Sequence, residues 1–165
     1  MKERTVVING MSKRFAMTGW RLGWAVGPEK LIAQMTKMQE NIVACAPLPA
    51  QHAGIEALNK RTDTNYIREE FQRRRDLIYD GINAIDGLAC RPVPATFYAF
   101  VDIGRTELRA EDFVYRLLDC RRVAVVHGSA YGGSRYDRYI RIAFTLEEEK
   151  LKEALRRIRM FMASL

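Results

Sequence analysis

The sequence has no apolar run near the roughly 20 residues that a membrane helix needs. It also shows no secretory leader: Lys2 to Arg4 precede only the short run Val6 to Ile8. A cytoplasmic location is the expectation. Cysteine is scarce: Cys45, Cys90 and Cys120 are odd in number and far apart, with no C-x-x-C and no Cys/His ligand spacing. A sequence-encoded metal site is therefore not expected, and the thiols read as reduced and structural. P-loop and Gly-x-Gly-x-x-Gly signatures are missing, no Ser/His/Asp arrangement is legible, and there is no internal repeat or low-complexity tract.

The net charge of +7 invites a nucleic-acid reading. The basic residues are dispersed, however. Arg73 to Arg75, Arg121 with Arg122, and Arg156, Arg157 and Arg159 lie in separate segments. The first and last groups sit in amphipathic patterns and read as solvated helix faces. Neither nucleic acid nor membrane is expected as a partner.

Thr5 to Ile8 predicts a short buried strand of β-branched residues. Asn9 to Trp20 is polar and irregular, and Leu22 to Val26 is a second apolar run ending at Gly27-Pro28. Pro28 is placed to open a helix running to about Val43, with Leu31, Met35, Met38 and Ile42 on one stripe. Ala46-Pro47-Leu48-Pro49 breaks it and marks a boundary between structural units. A shorter helix over about Ala50 to Leu58 follows. Asp63 or Thr64 then caps a long helix with Ile67, Phe71, Ile78, Ile82 and Ile85 at helical spacing, ended by Gly87.

Beyond Pro92 and Pro94, Phe97 to Ile103 alternates like a strand, with Phe97, Ala99, Val101 and Ile103 on one face. Glu111 to Leu118 predicts a helix, Val123 to Val126 a strand, Gly128 to Ser134 a glycine-rich loop and Tyr139 to Phe144 a strand. Thr145-Leu146-Glu147-Glu148 fits a capping box. It would open a final helix with Leu151, Leu155, Ile158, Phe161 and Met162 inward. The mixture predicts an α/β or α+β chain, with helices packed on a small sheet.

Three side chains could carry chemistry. Lys13 follows a strand in a loop of small and polar residues. It is either a surface lysine, the commoner case at such a position, or an amine desolvated enough to form a Schiff base. Arg21, in Thr18-Gly19-Trp20-Arg21-Leu22-Gly23, is either a surface arginine stacked on Trp20 or a bidentate phosphate ligand that the glycines let a ligand approach. Arg141 lies mid-strand, with Ala143 on the face opposite Ile140 and Ile142. That pattern suggests a cleft for a carboxylate, or an edge-strand arginine reaching water. His127 and Tyr131 lie in a loop that could face the same cleft. His52 is given no role, and Trp20 and Trp24 read as packing.

Together these residues resemble a known family. Asn9-Gly10-Met11-Ser12-Lys13 through Thr18-Gly19-Trp20-Arg21-Leu22-Gly23 is similar to the cofactor-attachment segment of class I/II aminotransferases of fold type I, of the aspartate/aromatic kind. There a serine-lysine pair is followed eight residues later by an arginine, as here. Ala95 to Asp102 resembles the family's small-domain strand. Val123 to Gly132 resembles the loop before its carboxylate-binding strand, and Tyr139 to Ala143 that strand itself. Many members have proline where His127 stands, so His127 is given little functional weight.

The resemblance implies pyridoxal phosphate as cofactor, with Lys13 forming the internal aldimine. Arg21, helped by Ser12, would bind the cofactor phosphate, and Arg141 would hold the substrate α-carboxylate. The implied reaction moves an amino group between an amino acid and a 2-oxo acid, and intact members are usually homodimers. Residues 1–48 would belong to the large cofactor-binding domain and 49–165 to the C-terminal small domain. No aspartate precedes Lys13, so the family's partner for the pyridinium nitrogen is not in this chain. The chain alone is expected to fold but to have little or no activity. A lyase or synthase on the same scaffold, or a non-catalytic small-domain module, are the alternative readings.

Overall fold

The computed structural model describes residues 1–59 and 64–165, which form two compact units, Met1–Asn65 and Tyr66–Leu165. Of the two proposed caps for the long helix, Asp63 lies outside the described residues, and Thr64 immediately precedes the helix.

In the first unit, β1 (Val7–Gly10) and β2 (Gly23–Val26) form an antiparallel hairpin with Gly10 opposite Gly23. The strands cross closely there: a Cβ on Gly23 would stand 2.8 Å from the Asn9 carbonyl oxygen, so only glycine fits. Pro28 sits at the start of α1 (Glu29–Ile42), where its fixed φ suits a helix entry and its carbonyl accepts from the amides of Leu31 and Ile32. Helix α2 (Leu48–Asn59) packs on the hairpin through buried Gly54, where any Cβ would collide with Leu22. That contact places α2 in the first unit. The Ala46 to Pro49 break separates two helices there, and the division between units falls at the start of the next helix.

Two expectations for this unit change. The first strand lies at Val7–Gly10, and it is exposed: Ile8 keeps 75 % of its accessible surface. The α1 stripe is also largely solvent-facing, with Leu31, Met38 and Ile42 exposed and no residue of the helix buried. A two-stranded ribbon and two helices do not have enough surface to cover both sides of the hairpin.

The second unit runs α3 (Asn65–Asn83), β3 (Ala89–Cys90), β4 (Tyr98–Asp102), α4 (Ala110–Arg121), β5 (Val126–His127), α5 (Ser129–Gly132), β6 (Tyr139–Ala143) and α6 (Glu148–Met162). Its antiparallel sheet has the order β3-β4-β6-β5. Alternation sends Ala99, Val101, Ile140 and Ile142 into the core, where Ile78, Ile82, Phe113, Leu117, Leu155 and Ile158 from α3, α4 and α6 meet them. Phe113 and Phe161 lock α4 to α6 edge-to-face, with ring centroids 5.1 Å apart. Each fully buried large side chain contributes about 1.5–3 kcal/mol, so this core is the main source of the unit's stability.

Local details depart from the sequence reading. The two-residue strand β3 was not anticipated. It is held by Asn83, whose side-chain amide donates to the Cys90 carbonyl while its oxygen accepts from the Cys90 amide. The strand expected at Val123 to Val126 is paired only at Val126–His127. The glycine-rich stretch folds into the turn α5 and a 3-10 turn over Gly133–Tyr136. The capping box does not form: Glu147 occupies the N-cap without a side-chain bond, and Arg74 donates to the Thr145 carbonyl.

The arginine-rich helices pair with their own acids. Glu70 accepts from Arg73 and Arg74, and Glu153 from Arg156 and Arg157. The bond from Arg156, then that from Arg157, pushes the Glu153 carboxyl down to about 2. Among the described residues, no helix is long and apolar enough to cross a membrane.

All three cysteines are free thiols: Cys45 and Cys120 are exposed, and Cys90 is buried in the sheet. Burial pushes the Cys90 thiol up, away from the reactive thiolate. Iodoacetamide is therefore expected to modify two thiols of the native chain, Cys45 and Cys120, and to reach Cys90 only after denaturation. Peptide mass mapping checks this. Labelling of Cys90 as fast as the other two would mean that the β3 edge opens readily.

Candidate active site

The sequence-predicted residues fall in both units, with Ser12, Lys13 and Arg21 in the first and Arg141 in the second. In the first unit the hairpin ladder has one rung beyond its strands, where the Met11 amide donates to the Leu22 carbonyl at 3.1 Å. Met11 is buried and anchors this neck. Ser12 leaves the neck on one side and Arg21 enters it on the other, so backbone pairing alone sets these two positions next to each other.

The intervening loop is tightly wound. The Phe15 amide bonds the Met11 carbonyl at 3.2 Å, and the Ala16 amide bonds the Lys13 carbonyl at 3.4 Å. Lys13 is thus carried on the first turn after the neck. Its side chain is exposed, so the desolvated surround expected from its place after a strand is not built by the residues around it. Ser12 is half-buried.

Arg21 has a left-handed backbone (φ 51°), which turns the chain back into β2 after the 3-10 turn Thr18–Trp20. Its Nη1 donates to the Thr18 carbonyl at 3.0 Å, which orients the guanidinium within the loop and leaves its other donors available for an anion. Space beside the turn is open, since a Cβ on Gly19 would meet nothing within 4 Å. Arg21, with Asn9, Trp24, Met35 and Gln51, lines a cleft of about 940 Å³ in this unit; Ser12 and Lys13 are not among its walls. Trp20, expected to pack, is 47 % exposed.

This loop therefore offers a hydroxyl, a primary amine and a guanidinium. That donor set fits a phosphate-bearing aldehyde: the amine can condense with the carbonyl, and the guanidinium and hydroxyl can bind phosphate oxygens. Pyridoxal phosphate is such a molecule.

In the second unit Arg141 sits in the middle of β6, opposite Phe100 of β4 and Val126 of β5. Its neighbours Ile140 and Ile142 are buried on the other face, so the guanidinium emerges on the face away from the helices. It lies over the Tyr98 ring at 4.0 Å and over the Tyr131 ring at 4.4 Å from the centroids. Its Nε is buried and unbonded, and no carboxylate pairs with it among the described residues.

Small Ala143, exposed and opposite Tyr98, leaves room at this end of the sheet, as the strand pattern predicted. Tyr98 had no role in the sequence reading. The same alternation that buries Ala99 places Tyr98 on the Arg141 face, and that was the available signal. His127 bonds Ser129 Oγ through Nδ1 at 2.7 Å and so helps shape the turn that carries Tyr131. His52 is exposed on α2.

Comparison with known proteins agrees with the geometry. The family model described as aminotransferase class I and II matches residues 1–158. An aspartate aminotransferase of Rhizobium meliloti is 43 % identical over 169 residues, covering 96 % of this chain and 40 % of that protein. A (5-formylfuran-3-yl)methyl phosphate transaminase of Methanocaldococcus jannaschii is 36 % identical, covering 97 % of this chain and 42 % of that protein. Among solved structures, an aromatic aminotransferase of Pyrococcus horikoshii superposes with a TM-score of 0.94 at 37 % identity, covering 99 % of this chain and 44 % of that one. The chain thus spans about two-fifths of the length of the relatives it matches. The Lys13 to Arg21 loop, the Arg141 strand and these likenesses lead to one conclusion: the chain belongs to the class I and II aminotransferases, a family that uses pyridoxal phosphate.

Proposed function

We propose that the complete protein of which this chain is a part transfers an amino group between an amino acid and a 2-oxo acid, using pyridoxal phosphate. The observation that carries this reading is the hairpin neck at Met11 and Leu22, which gathers Ser12, Lys13 and Arg21 onto one loop. In this reading the first unit, Met1–Asn65, belongs to the large domain of the complete enzyme, and Tyr66–Leu165 to its small domain, so the boundary falls one helix later than residue 48. The exposed apolar faces of β1 and α1 are then covered by the rest of the large domain, and the complete protein is a homodimer.

The cofactor, when bound, supplies an electron sink for the carbanion left after the substrate Cα–H bond breaks. The remaining work falls to side chains of this chain. Lys13 Nζ would hold the cofactor covalently, and as a free amine it would take the proton from the substrate Cα and hand it on to the carbon that accepts it in amino transfer. Arg21 would pair with the cofactor phosphate, and Ser12 Oγ would add a hydrogen bond there. Arg141 pairs with the substrate α-carboxylate and so fixes which bond at Cα is presented for cleavage.

Borohydride reduction of the full-length protein with pyridoxal phosphate, followed by peptide mapping, tests the assignment. A single stable label on the peptide containing Lys13 is expected. A label confined to another lysine would overturn the site.

A further inference from the structure

The setting of Arg141 goes further than a cation on a strand. A guanidinium has five N–H donors in its plane and none on its two faces, which are weakly hydrated and stack well on aromatic rings. Here two rings lie against the guanidinium, Tyr98 at 4.0 Å and Tyr131 at 4.4 Å from its central carbon to the ring centroids. Proteins commonly steady an arginine with a carboxylate, but that would consume the donors a carboxylate ligand needs. Two rings attract the cation through their π faces and leave every donor unused. The buried Nε makes no hydrogen bond among the described residues, so no protein acceptor is placed on it.

Both rings are themselves firmly placed. Tyr98 is on the inner strand β4, opposite Ala143, so the guanidinium reaches it diagonally across the sheet. Tyr131 is carried by α5, and the preceding Gly128 bonds its amide to the Tyr139 carbonyl at 2.7 Å. A Cβ on Gly128 would stand 2.7 Å from that same carbonyl oxygen, so the approach of this turn to β6 requires glycine. The bond from His127 to Ser129 braces the turn from the other side.

We propose that Tyr98 and Tyr131 are positioning residues that clamp the Arg141 guanidinium with their rings and present its edge to the carboxylate of the substrate. The proposal rests on the reading of Arg141 as the carboxylate anchor. The clamp removes the rotational freedom of a long side chain before the ligand arrives, so binding does not have to. Phenol hydroxyls are not needed for this; ring faces are.

The test uses the arginine Nε–Hε signals in NMR spectra of the 15N-labelled chain, with Arg141 assigned by the signal lost in Arg141→Lys. Propionate is the probe and propionamide the uncharged control. The Arg141 signal is expected at an unusual, ring-shifted position, and propionate but not propionamide should move it. Tyr131→Leu and Tyr98→Leu should abolish the ring shift and weaken propionate binding about two- to tenfold. Tyr131→Phe and Tyr98→Phe should keep both. If Tyr98→Leu unfolds the sheet, the half-exposed Tyr131 still provides the test. Leucine variants with an unchanged Arg141 signal and unchanged propionate affinity would overturn the clamp while leaving the carboxylate reading intact. A wild-type Arg141 signal indifferent to propionate would overturn the carboxylate reading and the positioning role with it.

Discussion

Replacing Lys13 by alanine in the full-length protein is expected to lower kcat for amino transfer by about ten-thousand-fold or more. The side chain is assigned two tasks, holding the cofactor and moving the Cα proton, and alanine can do neither. Lys13→Arg should be equally inactive: it keeps the positive charge, but a guanidinium does not give up a proton in a protein and cannot act as the base. Residual activity should lie at background. Steady-state assay of both variants checks this. Activity within tenfold of the parent enzyme would show that another amine does the work.

Arg141→Ala is expected to act on substrate recognition and not on the cofactor. Removing one partner of a desolvated, hydrogen-bonded charge pair costs about 3–4 kcal/mol, which is a fall in kcat/KM of roughly a hundredfold to a thousandfold. Cofactor content should not change, since the role proposed for Arg141 lies with the substrate. Lysine should restore only part of the loss, because an ammonium cannot make the bidentate pair. The decisive control is an alkylamine substrate without a carboxylate: parent and variant should then be equally slow. An equal loss with amino acid and alkylamine would mean that Arg141 supports the fold of β6 and has no role in binding.

These two expectations rest on features that differ in how far they could be read in advance. The Lys13 to Arg21 spacing was legible because the loop is local in sequence, and its closure depends on glycines that permit close strand crossing at Gly23. The face of Arg141 was legible because strand alternation is strict: burying Ile140 and Ile142 forces Arg141 to the other side. The periodic stripes of α3 and α6 likewise point Ile78, Ile82, Leu155 and Ile158 into the core where the pattern put them.

Where the reading failed, distant groups decided the outcome. Strand β3 exists because Asn83, at the end of a helix, offers its side-chain amide to both backbone groups of Cys90. No local pattern in Ala89-Cys90 announces that. The capping box at Thr145 does not form because the helix begins later, with Glu147 at the N-cap, and the Thr145 carbonyl accepts instead from Arg74 of α3. The apolar run at β1 predicts burial by its composition. It is exposed because burial needs a covering layer, and a ribbon with two helices is too small to provide one.

By itself, the sequence determined which face of its strand Arg141 occupies and which faces of α3 and α6 turn inward, because strand and helix periodicities are local properties of the backbone. It also determined the family, through a run of residues no composition argument could supply. Only the tertiary structure decided which rings lie against the Arg141 guanidinium. Tyr98 and Tyr131 come to it from a separate strand and a separate turn. The physical reason is that alternation fixes the face a residue occupies, whereas sheet pairing and turn closure decide which residues of other segments are brought against it.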